Sequence, residues 1–202
     1  MVQAILDGRK TQTRRVVKIP DGQTAWSANK GMYLSVTDEP ENPNCRLLNI
    51  LPKWSVGDHL WVRETFAEVG CIGWPIDKFE YAYRADFPDG QWSGYADMCL
   101  EKWKPSIFMP RAASRITLEV TSVRAERLND ISEADAVSEG IAVLGGKVDD
   151  SPVFENYLKR GVENGYGYPK NSFRSLWQSI NGTDSWQANP FVWVISFKKV
   201  GP

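Results

Sequence analysis

The sequence predicts an α+β protein whose small antiparallel or mixed sheet curls into a barrel. Three observations lead there. Several short segments alternate apolar and polar residues as half-buried strands do. Only two or three short stretches carry helical spacing. No regular βαβ alternation, internal repeat, heptad or low-complexity tract occurs. At 202 residues the chain fits one domain, 1–202, and can bury a real core. Loop insertions are expected at 20–53, 86–110 and 142–170, where Pro, Gly, Asn or Tyr accumulate without a sustained period.

The elements follow in order. Val2, Ala4, Ile5 and Leu6 make a short apolar helix, and Gly8 suits the position just past its end, where a left-handed backbone meets no Cβ clash. The next segment alternates, so that Lys10 and the residues two and four along share one face if extended. Residues 57–66 (GDHLWVRETF) read as a turn at Gly57 and Asp58, then a strand with Leu60 and Val62 opposite Trp61 and Arg63. Residues 79–85 are a candidate partner strand. The clearest strand is 115–123 (RITLEVTSV), with Ile116, Leu118 and Val120 on one side. Ser132 then caps a short helix that ends on Glu139 and stops at Gly140. Phe173, Leu176, Trp177 and Ile180 recur at helical spacing, and 191–199 (FVWVISFKK) closes the chain as a strand.

Composition narrows the function classes. Twenty-four Lys and Arg face 25 Asp and Glu, a net charge of −1, which excludes a bulk electrostatic binder of duplex nucleic acid. Any nucleotide contact must come from a local patch. Cys45, Cys71 and Cys99 form neither a disulfide framework nor a CxxC pair, which fits a reducing cytoplasm. No apolar run approaches membrane-spanning length, and the N-terminus does not read as a signal peptide. The sole histidine, His59, cannot support a multi-histidine metal site, and the His-x-Glu plus Cys-x-x-Cys pattern of zinc deaminases is absent. No metal and no cofactor are expected.

The most informative stretch is 4–15 (AILDGRKTQTRR), which sets a lysine and hydroxyls in a cluster of cations. Such a cluster binds a phosphate, or depresses an amine's pKa and makes a base, or is simply a solvated basic turn. Trp61 reads as a base-stacking platform or as core. Arg63 and Glu64 read as substrate contacts or as a surface ion pair, and Arg111, between Pro110 and two alanines, suits phosphate or carboxylate binding.

Taken together, the ordered set resembles one family. GRKTxTxR, GDxLxVRE, ITLEVTSV, SEGI and a terminal VWVISFK are similar to the ASCH domains of the PUA-like superfamily. Over most of its length the chain resembles the longer prophage and bacteriophage members, which carry PSIxMPRxxSRI and FRSLWxSINGxxSWxANPxVWVxxF, here at 105–116 and 173–197. Two departures stand out. A PILFS-type strand usually precedes the position of Met1, and Phe108 and Ala112 stand where His and Trp are common.

The resemblance implies a PUA-like β-barrel with flanking helices, associated with RNA or with modified nucleosides. Small members of the family remove acyl groups from the exocyclic amine of cytidine. Carried over by motif, their trio falls on Lys10, Thr13 and Glu139. That chemistry needs an attacking oxygen, a base, donors for an oxyanion and an acid for the leaving nitrogen. Because the cytosine ring delocalises the departing electrons, no metal is required. Either Lys10 is a neutral base, with Thr13 as nucleophile or water anchor, or a charged Lys10 steadies the oxyanion while Glu139 is the base. A non-catalytic RNA-binding module and a metal-independent ribonuclease are the alternatives. A small-molecule nucleoside is the expected partner, with RNA the alternative one.

Overall fold

The computed structural model describes residues 1–29, 33–42, 45, 47–71, 80–87, 98–100, 102–148, 151–159 and 161–201. In chain order its elements are α1 (Val2–Leu6), β1 (Gln12–Val16), β2 (Thr24–Asn29), β3 (Tyr33–Thr37), β4 (Leu48–Ile50), β5 (His59–Trp61), β6 (Phe66–Cys71), β7 (Glu80–Tyr83), β8 (Met98–Leu100), β9 (Thr117–Arg127), α2 (Glu133–Ser138), β10 (Val143–Val148), β11 (Ser151–Phe154), α3 (Pro169–Asn181) and β12 (Phe191–Val200). The fold is mixed α+β, with mostly antiparallel sheets, one of them curled as a half-barrel, and few helices.

Two compact units emerge. The first comprises Met1, 3–58 and 119–198; the second comprises Val2, 59–118 and 199–202.

In the first unit, β12 lies between β1 and β9. β1 and β12 run antiparallel, with Gln12 opposite Ser196 and Val16 opposite Val192. Central strands bury both faces, and β12 does so with Val192, Val194 and Ile195 fully enclosed. One side of that strand feeds a core of Leu128, Ile131, Ala136, Ile141, Phe154, Phe173, Trp177 and Trp186. α2 and α3 pack against each other beside it. The local signals hold at both ends of α2: the Asp135 backbone N–H donates to Ser132 Oγ at 3.1 Å, and Gly140 adopts φ +79°. Gly8 likewise sits just past α1 with φ +73°.

Two expected loops are corrected here. Residues 20–53 carry the three-stranded sheet β2-β3-β4, where Leu34 and Val36 bury completely on β3 and Ser35 and Thr37 are buried beside them. Residues 142–170 carry the β10–β11 hairpin, whose register shifts between Leu144 and Lys147, a bulge that erases the two-residue period. Ile180, expected on the apolar stripe of α3, is 61 % exposed.

In the second unit the strand expected over 57–66 is shorter, ending at Trp61, and a separate strand β6 begins at Phe66. β6 pairs antiparallel with β7 on one side and β8 on the other. The expected 86–110 loop carries β8 at 98–100, while its residues 88–97 and 101, like Phe79 of the partner strand, lie outside the described residues. Phe66, Met109 and Ala113 form a small core cluster in this unit, with Tyr81 and Tyr83 against it.

Candidate functional site

Lys10 and Glu139 meet in the first unit. The chain leaves α1 through Gly8, and the Lys10 backbone N–H donates to the Ala4 carbonyl at 2.8 Å. The next N–H, of Thr11, donates to Ser138 O at 2.9 Å, which lays the strand against the end of α2. Gly140 makes that approach possible, since a Cβ there would stand 2.6 Å from the Lys10 Cβ.

Lys10 is 6 % exposed and Glu139 4 %. The Lys10 ammonium donates to three acceptors, the carbonyls of Gln12 and Glu139 and the Glu139 Oε2, each at 2.8 Å. Three acceptors use all three protons, so this geometry is that of a charged lysine. Burial pushes the amine below its ordinary value, the Glu139 carboxylate works in the other direction, and the Arg15 and Arg14 charges add to the lowering.

Thr13 is half-buried and lies on the opposite side of β1 from Gln12 and Arg14. Its hydroxyl forms no hydrogen bond among the described residues. It nevertheless lines a pocket of about 100 Å³ together with Arg14, Arg15, Val16 and Glu139. Met1 and the α3 side chains Phe173, Leu176, Trp177, Ile180 and Asn181 complete the wall. Lys10 stands behind that lining, touching it through Glu139.

Sequence reasoning set Arg14 among the cations near Lys10 but missed the partners that complete the polar cluster. Arg14, whose side chain has no exposure, donates from Nη1 to Glu139 Oε1 at 3.0 Å and to Gln12 Oε1 at 2.8 Å. Its Nη2 and Nε reach Glu126 Oε1 at 2.6 and 3.2 Å, and Nη2 also lies 3.4 Å from Asp135 Oδ2. Arg124 closes the outer side on Glu126 and Asp135 at 3.1 and 2.9 Å. The signal was the period-two alternation itself, which aligns Lys10, Gln12 and Arg14. Arg9 is exposed and paired with Asp7, so it is not part of the cluster.

The other expected site residues belong to the second unit. Glu64, 2 % exposed, pairs with Arg115, not with its neighbour Arg63: Arg115 Nε and Nη2 donate to its two oxygens at 3.0 Å each. Arg115 also holds Asp86 at 2.7 Å and lies 4.0 Å over the Tyr83 ring. Trp61 is half-buried, with the Arg63 guanidinium 4.6 Å and that of Arg111 5.9 Å from its ring centre. Neither arginine has a carboxylate partner among the described residues. His59 is exposed and Cys45 carries a free thiol.

Among the described residues no group of three or more His, Cys, Asp or Glu is placed to hold a metal ion, and no helix is long and apolar enough to cross a membrane. No family model, curated protein or solved structure matches the chain.

Proposed function

We propose that this chain is a cytoplasmic PUA-like protein of the long phage-type ASCH group, acting as a metal-free amidohydrolase on acylated cytosine nucleosides. The observation that supports it is the convergence of Lys10 and Glu139 from positions 129 residues apart into one buried contact, beside a pocket that Thr13 also lines. Ordinary surface ion pairs contribute little and are not enclosed in this way.

The three acceptors around Lys10 Nζ favour the charged form, which supports Glu139 as the base. In that scheme Glu139 takes a proton from the attacking oxygen, whether of Thr13 or of a water that Thr13 anchors. The new C–O bond forms at the acyl carbon, and the guanidinium of Arg15, which also lines the pocket, offsets the negative charge that develops on its oxygen. The proton held by Glu139 passes to the exocyclic nitrogen as the C–N bond breaks, releasing the free amine of cytidine. If Thr13 attacked, water then frees the acyl group as a carboxylic acid.

The test is direct. Purified protein incubated with N4-acetylcytidine releases cytidine, followed by absorbance, and Glu139→Gln lowers turnover by about 100-fold or more. Absence of turnover by the wild type, or undiminished turnover by Glu139→Gln, overturns the reading.

A second reading, an RNA-binding module, draws on the Arg63 and Arg111 guanidinia braced on Trp61 without carboxylate partners among the described residues. It predicts salt-dependent binding of a single-stranded RNA that Arg63→Ala with Arg111→Ala abolishes.

A further inference from the structure

The Glu139 carboxylate is gripped from two sides, by a different cation on each oxygen. Lys10 Nζ takes Oε2 at 2.8 Å, and Arg14 Nη1 takes Oε1 at 3.0 Å. The Arg14 fork is itself immobilised: Gln12 Oε1 shares Nη1, Glu126 holds Nε and Nη2, and the guanidinium lies 5.7 Å from the Phe173 ring centre.

Charge accounting gives the cluster its logic. Lys10, Arg14 and Arg124 oppose Glu139, Glu126 and Asp135 in one connected network. An unpaired guanidinium in that interior would be costly, and Glu126 with Asp135 neutralises it. Arg14 is therefore free to spend one donor on Glu139 without carrying an uncompensated charge into the core.

We propose that Arg14 is the positioning residue for Glu139, fixing the plane of the carboxylate so that its remaining lone pairs face the pocket. This rests on the amidohydrolase reading. A carboxylate with a donor on one oxygen alone can turn about its last side-chain bond, whereas donors on separate oxygens hold its plane. A small misplacement of a reacting group costs a large factor in rate, and this is where an enclosed fork matters. Lysine is no substitute, because its ammonium is a point donor and cannot span Gln12, Glu126 and Glu139 at once.

Arg14→Lys keeps the charge and is the first variant to measure, with Glu126→Gln as a milder one that loosens the far side of the fork. With N4-acetylcytidine, Arg14→Lys lowers kcat about 10-fold or more while KM stays within about twofold, and Glu126→Gln gives a smaller loss in kcat. Because Arg14 acts through Glu139, Arg14→Lys adds little further loss in a Glu139→Gln background. Circular dichroism establishes that each variant is folded, and where Arg14→Lys is not, the same cycle run with Glu126→Gln decides. Unchanged kcat in the folded variant, a loss confined to KM, or a full additional loss on top of Glu139→Gln overturns the proposal and leaves the amidohydrolase reading standing. A wild type without turnover overturns both.

Discussion

Lys10 Nζ binds Glu139 twice, at the side-chain Oε2 and at the main-chain carbonyl, both 2.8 Å away. One cation thus ties the strand start to the last turn of α2 and holds a carboxylate that sits badly at the negative end of that helix. Removing Glu139 strands the buried ammonium among carbonyls, and removing Lys10 leaves the buried carboxylate to Arg14 alone. Lys10→Met and Glu139→Leu should each destabilise the protein by about 3–5 kcal/mol, and the double variant should lose less than the sum. Urea titration of the three variants measures the coupling.

Titration of Lys10 links this contact to pH. Its amine is lowered from 10.5, first by burial, so the unfolded chain binds more protons between the lowered value and 10.5. Stability from this group therefore rises with pH across that alkaline window and is level below it. Wild type should gain on Lys10→Met as pH climbs through the window, in paired unfolding curves. The alkaline limb of kcat/KM should likewise fall below 10.5, where the ammonium is lost.

Gly140 and Gly8 separate conformational strain from crowding. Both have positive φ, +79° and +73°, but a Cβ on Gly8 meets nothing within 4 Å, while one on Gly140 stands 2.6 Å from Lys10 Cβ and 3.0 Å from Ala4 Cβ. Gly8→Ala should cost about 1 kcal/mol and leave turnover intact. Gly140→Ala should cost about 2–4 kcal/mol, adding crowding to strain, and lower turnover by displacing Lys10. Thermal unfolding with activity assays distinguishes the two.

Local chemistry made the helices readable. Ser132, Gly8 and Gly140 act on their own neighbours, and the structure uses each as its residue type suggests. The meeting of Lys10 with Glu139 was carried by resemblance, since no spacing connects residues 129 apart. Partners such as Arg115 for Glu64, or Glu126 for Arg14, are set by which strands and loops pack together, and a single sequence does not encode that pairing locally. The β2-β3-β4 sheet was obscured because β2 shifts register between Ala25 and Ser27 and β4 is only three residues long, so neither sustains an alternation.

The helix α3 offers a test of burial against period. Phe173, enclosed in the core with Leu128 and Trp177, should lose about 3–5 kcal/mol on Phe173→Ala. Ile180 shares the helical spacing of Phe173 and Trp177 yet is largely in water, so Ile180→Ala should stay within about 0.5 kcal/mol. Comparable losses for the two would place the apolar face of α3 differently.

The second unit has its own buried carboxylate, and its energetics are separable. Arg115 divides its fork between Glu64 and Asp86 and covers the Tyr83 ring, whose hydroxyl donates to Ala113 O at 2.8 Å. Glu64→Gln keeps the shape but weakens both charge-assisted bonds, which should cost about 1–3 kcal/mol. Asp86 is more exposed, so Asp86→Asn should cost under about 1 kcal/mol, and high salt should shrink that loss further. Arg63, adjacent in sequence to Glu64 but not its partner, should be nearly neutral as Arg63→Ala in the same unfolding assay. A large loss there would mean that the neighbouring pair, and not Arg115, neutralises Glu64.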